Sequence, residues 1–326
     1  MFARKLVRQF AAISESDIQN EIRAIDKLCG NACKYLVMVF RHGKLKNTSY
    51  YFIDMELCDL DLKDYILGNW HGINGLMSPF FRRGNQESEM ENIWGIMRQI
   101  SEGLVFIHSQ TEVHRDLKPT NGIRFSFIDN SEVLYSVNQG IWKIADFGLT
   151  SERASGTSVS TQLARGTPGY RAPELFADPP TFSNKIDIWG LGCILYELVV
   201  KKKAFQADWD VLECASSKAL PVILHSESSI DMDSRKYVTN LIGELLQVRA
   251  QERPSAQEVY TVLKSLSSGQ SKGGQVIPLL SRISQPASDL ISVSRPNHGE
   301  ELERDRISEL EHNVSMMYFL QLSLSS

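Results

Sequence analysis

The chain has 326 residues, of which 42% are hydrophobic and 23% charged, an ordinary globular composition. Its net charge of −4 and pI near 6.0 argue against nucleic acid or an anionic membrane as the main partner. No apolar run reaches the roughly 18 residues of a membrane span, and five scattered cysteines (Cys29, Cys33, Cys58, Cys193, Cys214) fit neither a disulfide framework nor a zinc site, which points to a reducing compartment.

Ala3–Val7 reads as a strand. The basic, acid-free opening Met1–Phe10 also has the character of a mitochondrial presequence, but the strand accounts for the same residues. Ser16 and Gln19 have capping-box form, with Ser16 at the N-cap. Ile18, Ile22, Ile25 and Leu28 follow at helical spacing with Glu21 beside the stripe, and Gly30 closes the helix. Tyr35–Phe40 and Tyr50–Leu57 read as two more strands, turning at Arg41–Asn47. Residues 67–88 are rich in turn formers. Ser88 and Glu91 then form a second capping box before a core helix bearing Ile93, Met97, Ile100, Leu104 and Ile107, which His108 ends.

The chemistry concentrates in His114-Arg115-Asp116-Leu117-Lys118-Pro119-Thr120-Asn121. Asp116 can take or orient a hydroxyl proton, Lys118 can neutralise a phosphoryl group in flight, and an Asn121 oxygen can ligate Mg²⁺, because phosphoryl transfer is mostly positioning and charge stabilisation. The bland alternative is a polar turn stiffened by Pro119. Against it, the five fixed residues of H-R-D-L-x-x-x-N arise by chance with probability on the order of 10⁻⁴. Asp146-Phe147-Gly148 and Ala172-Pro173-Glu174 follow downstream. Together these motifs resemble those of the eukaryotic protein kinases. Lys118-Pro119 and Thr167 are similar to the serine/threonine branch.

The resemblance implies an α+β, two-lobed fold over residues 1–265, with a curtailed small β lobe to about residue 58 and a mostly helical large lobe after it. It implies ATP and Mg²⁺ as cofactors and a protein substrate phosphorylated on serine or threonine. Asp116, Lys118 and Asn121 would be catalytic, with Asn121 and Asp146 on the metal. Lys5, in an A-x-K pattern, would hold the ATP phosphates and pair with Glu21, while backbone groups of Glu56 and Cys58 would read the adenine edge. Asp187 would hold the catalytic loop, and Arg253 would pair with Glu174. Ser155, Thr157, Ser158, Ser160 and Thr161 lie in a polar loop and are candidate sites for an upstream activating kinase, with Arg115 as the cationic partner of the phosphate added there. Asp187–Leu195 reads as a buried helix, Tyr237, Leu241, Leu245 and Val248 mark a later one, and Ser255 with Glu258 caps the last. Residues 266–326 read as a disordered tail with a short helix at Glu300–His312. The cytoplasm is the expected location, with the nucleus as the alternative.

Two departures set the competing expectation. The sequence contains no G-x-G-x-x-G, the loop that covers ATP phosphates in the family, as if it were an incomplete copy or a variant without that lid. Gly122–Glu132 reads as an insertion between Asn121 and Val133, and leaves open whether Leu134 or Ile123 lies beneath the adenine. The alternative reading is therefore a pseudokinase or truncated kinase-fold binding module without phosphotransfer.

Overall fold

Three antiparallel strands make the small-lobe sheet in the order β1–β3–β2, with β1 at Phe2–Arg8, β2 at Val39–Lys44 and β3 at Tyr50–Glu56. The structure is a computed structural model that describes residues 2–8, 15–29, 33–70, 86–119, 133–152, 159–160, 165–217 and 232–267. Strand alternation sends Val7 inward, with Lys5 on the same face, while Phe2 and Leu6 face out beside Arg4. On that outer face Asp54 is buried under two arginines. Arg4 donates to it at 2.5 and 2.8 Å and Arg41 at 2.6 Å. β2 starts four residues later than the sequence predicts and extends into the expected turn, ending at Lys44. Tyr35–Val37 are drawn to the large lobe instead: Val37 N–H donates to Ile144 O at 2.9 Å, and Ile144 N–H to Tyr35 O at 2.8 Å.

Helix α1, Glu15–Leu28, follows β1 and buries Ile18, Ile25 and Leu28 along the expected stripe. Ser16 lies inside its first turn and not at the N-cap, because Glu15 is already helical and accepts from Gln19 and Tyr51. The predicted stop, Gly30, lies outside the described residues. After β3 the chain enters the large lobe through β4, Leu60–Asp61, and α2, Leu62–Leu67. Asp61 caps α2 by accepting the Asp64 N–H at 2.7 Å, and Gly68 closes it at φ 74°.

The long helix α3, Gln86–Ser109, begins two residues before Ser88, so that serine sits within it. Its stripe Ile93, Met97, Ile100, Leu104 and Ile107 is at most 1% exposed, worth about 1.5–3 kcal/mol per side chain. β5, Glu112–Val113, leads to the catalytic-loop motif and pairs with β8, Ser151–Glu152. A hairpin of β6, Val133–Ser136, and β7, Ile141–Ile144, extends from β4. β9, Val159–Ser160, pairs with β10, Thr181–Phe182.

Helix α4, Lys185–Val200, is buried on every side from Ile186 to Val199, as its apolar sequence predicts. α5 spans Asp208–Ser217, α6 Met232–Leu245 and α7 Ala256–Ser267. On α6 the buried arc is Val238, Leu241, Ile242 and Leu245. Tyr237 falls at its edge, 40% exposed, and Val248 lies beyond the helix. The predicted Ser255–Glu258 capping box forms, with Glu258 N–H donating to Ser255 Oγ at 3.2 Å and Ser255 N–H to Glu258 Oε2 at 2.8 Å. Among the described residues no helix is long and apolar enough to cross a membrane.

The Asp54 cluster makes the small lobe acid-sensitive. Hydrogen bonds from Arg4, then burial opposing them, then Arg41, leave the Asp54 carboxyl lowered from 3.8 to about 2. A depressed carboxyl contributes stability that is complete above its unfolded pKa and lost as pH falls toward its folded one. Asp54→Asn should therefore unfold at lower urea than the parent at neutral pH, and the gap should narrow as pH falls from about 5 to about 3. A gap independent of pH over that range would contradict the assignment.

Candidate active site

The catalytic loop rests on α4. Asp187, in the first turn of that helix, accepts the backbone N–H groups of His114 at 2.9 Å and Arg115 at 2.8 Å, one on each carboxylate oxygen. This pair matters because Arg115 has φ 73°, a left-handed backbone that costs a non-glycine residue about 1–3 kcal/mol. His108 does more than end α3: its Nε2 lies 2.8 Å from Asp187 Oδ2. Burial alone would raise the Asp187 carboxyl, but the hydrogen bond and charge of His108 prevail and lower it. Gly190 lets the loop approach, since a Cβ there would sit 2.8 Å from the Leu117 carbonyl oxygen.

From this platform Asp116 and Lys118 converge with Thr167. The Thr167 N–H and hydroxyl each donate to Asp116 Oδ1 at 2.7 Å. The Lys118 ammonium, fully buried, contacts both Asp116 Oδ2 and Thr167 Oγ1. A carboxylate, a cation and a hydroxyl thus occupy one point, with the Asp116 side chain 14% exposed. Gly166, at φ 114°, is the turn that presents Thr167, and a side chain there would crowd the Arg115 carbonyl.

The second cluster is centred on Lys5. Its ammonium donates to Glu21 Oε1 at 2.8 Å and Asp146 Oδ1 at 2.9 Å, joining β1, α1 and the segment after β7. Burial opposes all three charges. At Lys5 the two carboxylates outweigh it and raise the ammonium's pKa; at Asp146 the nearby Lys5 outweighs it and lowers the carboxyl. At Glu21 burial prevails and raises it. Asp146 also has a left-handed backbone, φ 59°. Among the described residues its hydrogen bonds fall on Oδ1. An ionised carboxylate oxygen of this kind fits Mg²⁺, a hard cation that usually takes one or two protein carboxylates beside phosphates and water. His114 ties the two clusters together: its Nε2 donates to Ala145 O at 3.0 Å, and its ring packs edge-on against Phe147, centroids 5.8 Å apart.

Glu56 ends β3, and its side chain has a job that sequence reading missed. Its carboxylate accepts from the buried Lys143 at 2.5 Å, from Met38 N–H at 2.7 Å and from Gln139 at 3.1 Å. This pins the connection between lobes to the β6–β7 hairpin, with Cys58 half-buried beyond it. All five cysteines are unpaired thiols, and burial raises those of Cys29 and Cys58 to about 12. Asn121, Ile123 and the stretch Gly122–Glu132 lie outside the described residues, as do Ser155, Thr157, Ser158 and Thr161. Ser160 is placed only as backbone of β9. Arg115 donates to Ser151 Oγ at 2.9 Å and covers the Phe182 ring at 4.0 Å. The Arg253–Glu174 pair forms as expected, bidentate at 2.8 Å on both arms. Arg253 also donates to the Gln247, Lys185 and Val248 carbonyls.

The family model described as protein kinase domain matches residues 1–262. The chain belongs to the eukaryotic serine/threonine protein kinase family. It is 28% identical over 290 residues to "Probable serine/threonine-protein kinase nek3" of Dictyostelium discoideum, covering 88% of this chain and 22% of that one. It is 30% identical over 200 residues to serine/threonine-protein kinase nekl-2 of Caenorhabditis elegans, covering 60% of this chain and 50% of the relative. To serine/threonine-protein kinase Nek5 of Homo sapiens it is 33% identical over 211 residues, covering 64% and 25%. The chain therefore spans about a fifth to a half of the length of these curated relatives. The kinase platform yields a direct test. Asp187→Asn keeps the shape but offers one acceptor oxygen to two backbone amides, so urea titration should show a loss of about 2 kcal/mol. Unchanged stability would contradict the role given to Asp187.

Proposed function

We propose that this chain phosphorylates serine or threonine hydroxyls of protein substrates. The observation that carries the reading is the joint placement of Asp116, Lys118 and Thr167 at one point and of Lys5, Glu21 and Asp146 at another, tied through His114. Bound Mg·ATP supplies the phosphoryl group. Asp116 orients the substrate hydroxyl and accepts its proton, and Lys118 offsets the charge that develops on the group in transfer. Lys5, oriented by Glu21, holds the phosphates of the nucleotide, while Asp146 and Asn121 hold the cation. Backbone groups of Glu56 and Cys58 read the adenine edge, at a junction that Lys143 and Asp59 keep in place; Asp59 Oδ2 accepts the Val137 N–H at 2.8 Å. The phosphotransfer unit is assigned to residues 1–265 and the tail to 266–326. Arg115 receives a phosphate placed by an upstream kinase on the 149–166 segment. The unpaired thiols fit a reducing compartment, the cytoplasm with the nucleus as the alternative.

The second reading, a kinase-fold binding module without phosphotransfer, is favoured by one sequence fact: eleven residues, Gly122–Glu132, separate Asn121 from the start of β6. ADP release by the 326-residue chain with Mg·ATP and a generic basic protein substrate separates the two. Turnover should appear and fall at least about a hundredfold in Asp146→Asn. Equal release from parent and variant would favour the binding module.

A further inference from the structure

The face of α1 that flanks its apolar stripe is held by three separate segments of the large lobe. Asp17, Asn20, Arg23 and Lys27 recur every three or four residues, covering about a third of the helix circumference. Arg165, just before the Gly166 turn, donates to Asp17 at 2.7 Å. Asn20 donates to the carbonyl of Thr150, four residues after Asp146, at 2.5 Å. Glu112 on β5, two residues before His114, is the centre of the grip. Arg23 donates to both its oxygens, at 2.6 and 2.9 Å, and Lys27 adds a third bond at 3.0 Å. The Glu112 carboxylate is completely buried, whereas Arg23 and Lys27 are about one-third exposed. A buried carboxylate with two cationic partners fixes both depth and rotation, because a shift of the helix in either sense leaves the charge uncompensated.

We propose that Glu112 is a positioning residue that holds α1 where Glu21 meets Lys5. Glu21 lies on the same helix two residues from Arg23, so rotation about the helix axis that releases Arg23 also withdraws Glu21. The grip joins α1 directly to the strand that feeds the catalytic loop, using side chains alone. This inference rests on the phosphotransfer reading only for the use made of Lys5 and Glu21; the grip itself is independent of it.

Hydrogen–deuterium exchange on the full 326-residue chain tests it. Glu112→Gln and Arg23→Gln should each speed exchange across residues 15–28 by about tenfold, with α3 and α4 unchanged, and Arg23→Lys should recover most of the protection. Should Glu112→Gln fail to fold, the two Arg23 variants decide, since that side chain is partly at the surface. Exchange in α1 at the parent rate, or a rise shared equally by α3 and α4, would overturn the proposal. ADP release measured alongside separates the two readings. A parent chain without turnover whose variants still loosen α1 sinks phosphotransfer and keeps the grip; normal turnover with α1 unmoved does the reverse.

Discussion

One ammonium shared by two carboxylates organises the site. Lys5 arrives on β1, Glu21 on α1 and Asp146 after β7, and each of the three would be costly to bury alone. Together they compensate one another, though unevenly: burial raises the Glu21 carboxyl, whereas the nearby Lys5 ammonium lowers that of Asp146. The arrangement also couples elements whose apolar residues share one core. Moving α1 away from the sheet would leave Lys5 and Asp146 paired and Glu21 buried without its cation, so the position of the helix is set by charge as much as by its apolar stripe.

The other half of the site depends on a rigid floor. α4 is buried nearly throughout, and one face carries Asp187 and Gly190 beneath the catalytic loop. Two consecutive amides bound to one buried carboxylate make the left-handed turn at Arg115 tolerable, and that turn sends Asp116 and Lys118 toward Thr167. Farther down, all five N–H donors of Arg253 are used, on Glu174 and on three carbonyls, with the guanidinium 5.0 Å from the Trp189 ring. The segment that carries Thr167 and Glu174 is thereby tied to the same floor.

The parts legible in the sequence are those where a short motif carries its own chemistry. Asp116, Lys118, Thr167, Asp187 and the Arg253–Glu174 pair follow from motifs whose partners are few and chemically specific. The α1 and α3 stripes follow from helical period. What escaped depends on long-range geometry. Ser16 and Ser88 look like caps, but helix-compatible residues precede them and the helices simply continue backward. Tyr35–Val37 have strand character and form backbone bonds, yet with Ile144 across the lobes and not within the small sheet. Glu112 and Lys143 belong to no recognisable motif, and the fold buries them against Arg23 and Glu56. No local pattern distinguishes a charge that will be buried opposite a distant partner from one that will stay in water.

The most direct test of the central claim is to look for the product. A degenerate peptide mixture containing serine and threonine, incubated with the full chain and Mg·ATP, would be read by mass spectrometry beside Asp116→Asn. The account predicts phosphate on serine and threonine with the parent chain and its loss with the variant. A correctly folded parent that yields no phosphopeptide, or a variant that yields as much, would contradict the assignment of Asp116 and with it the phosphotransfer reading.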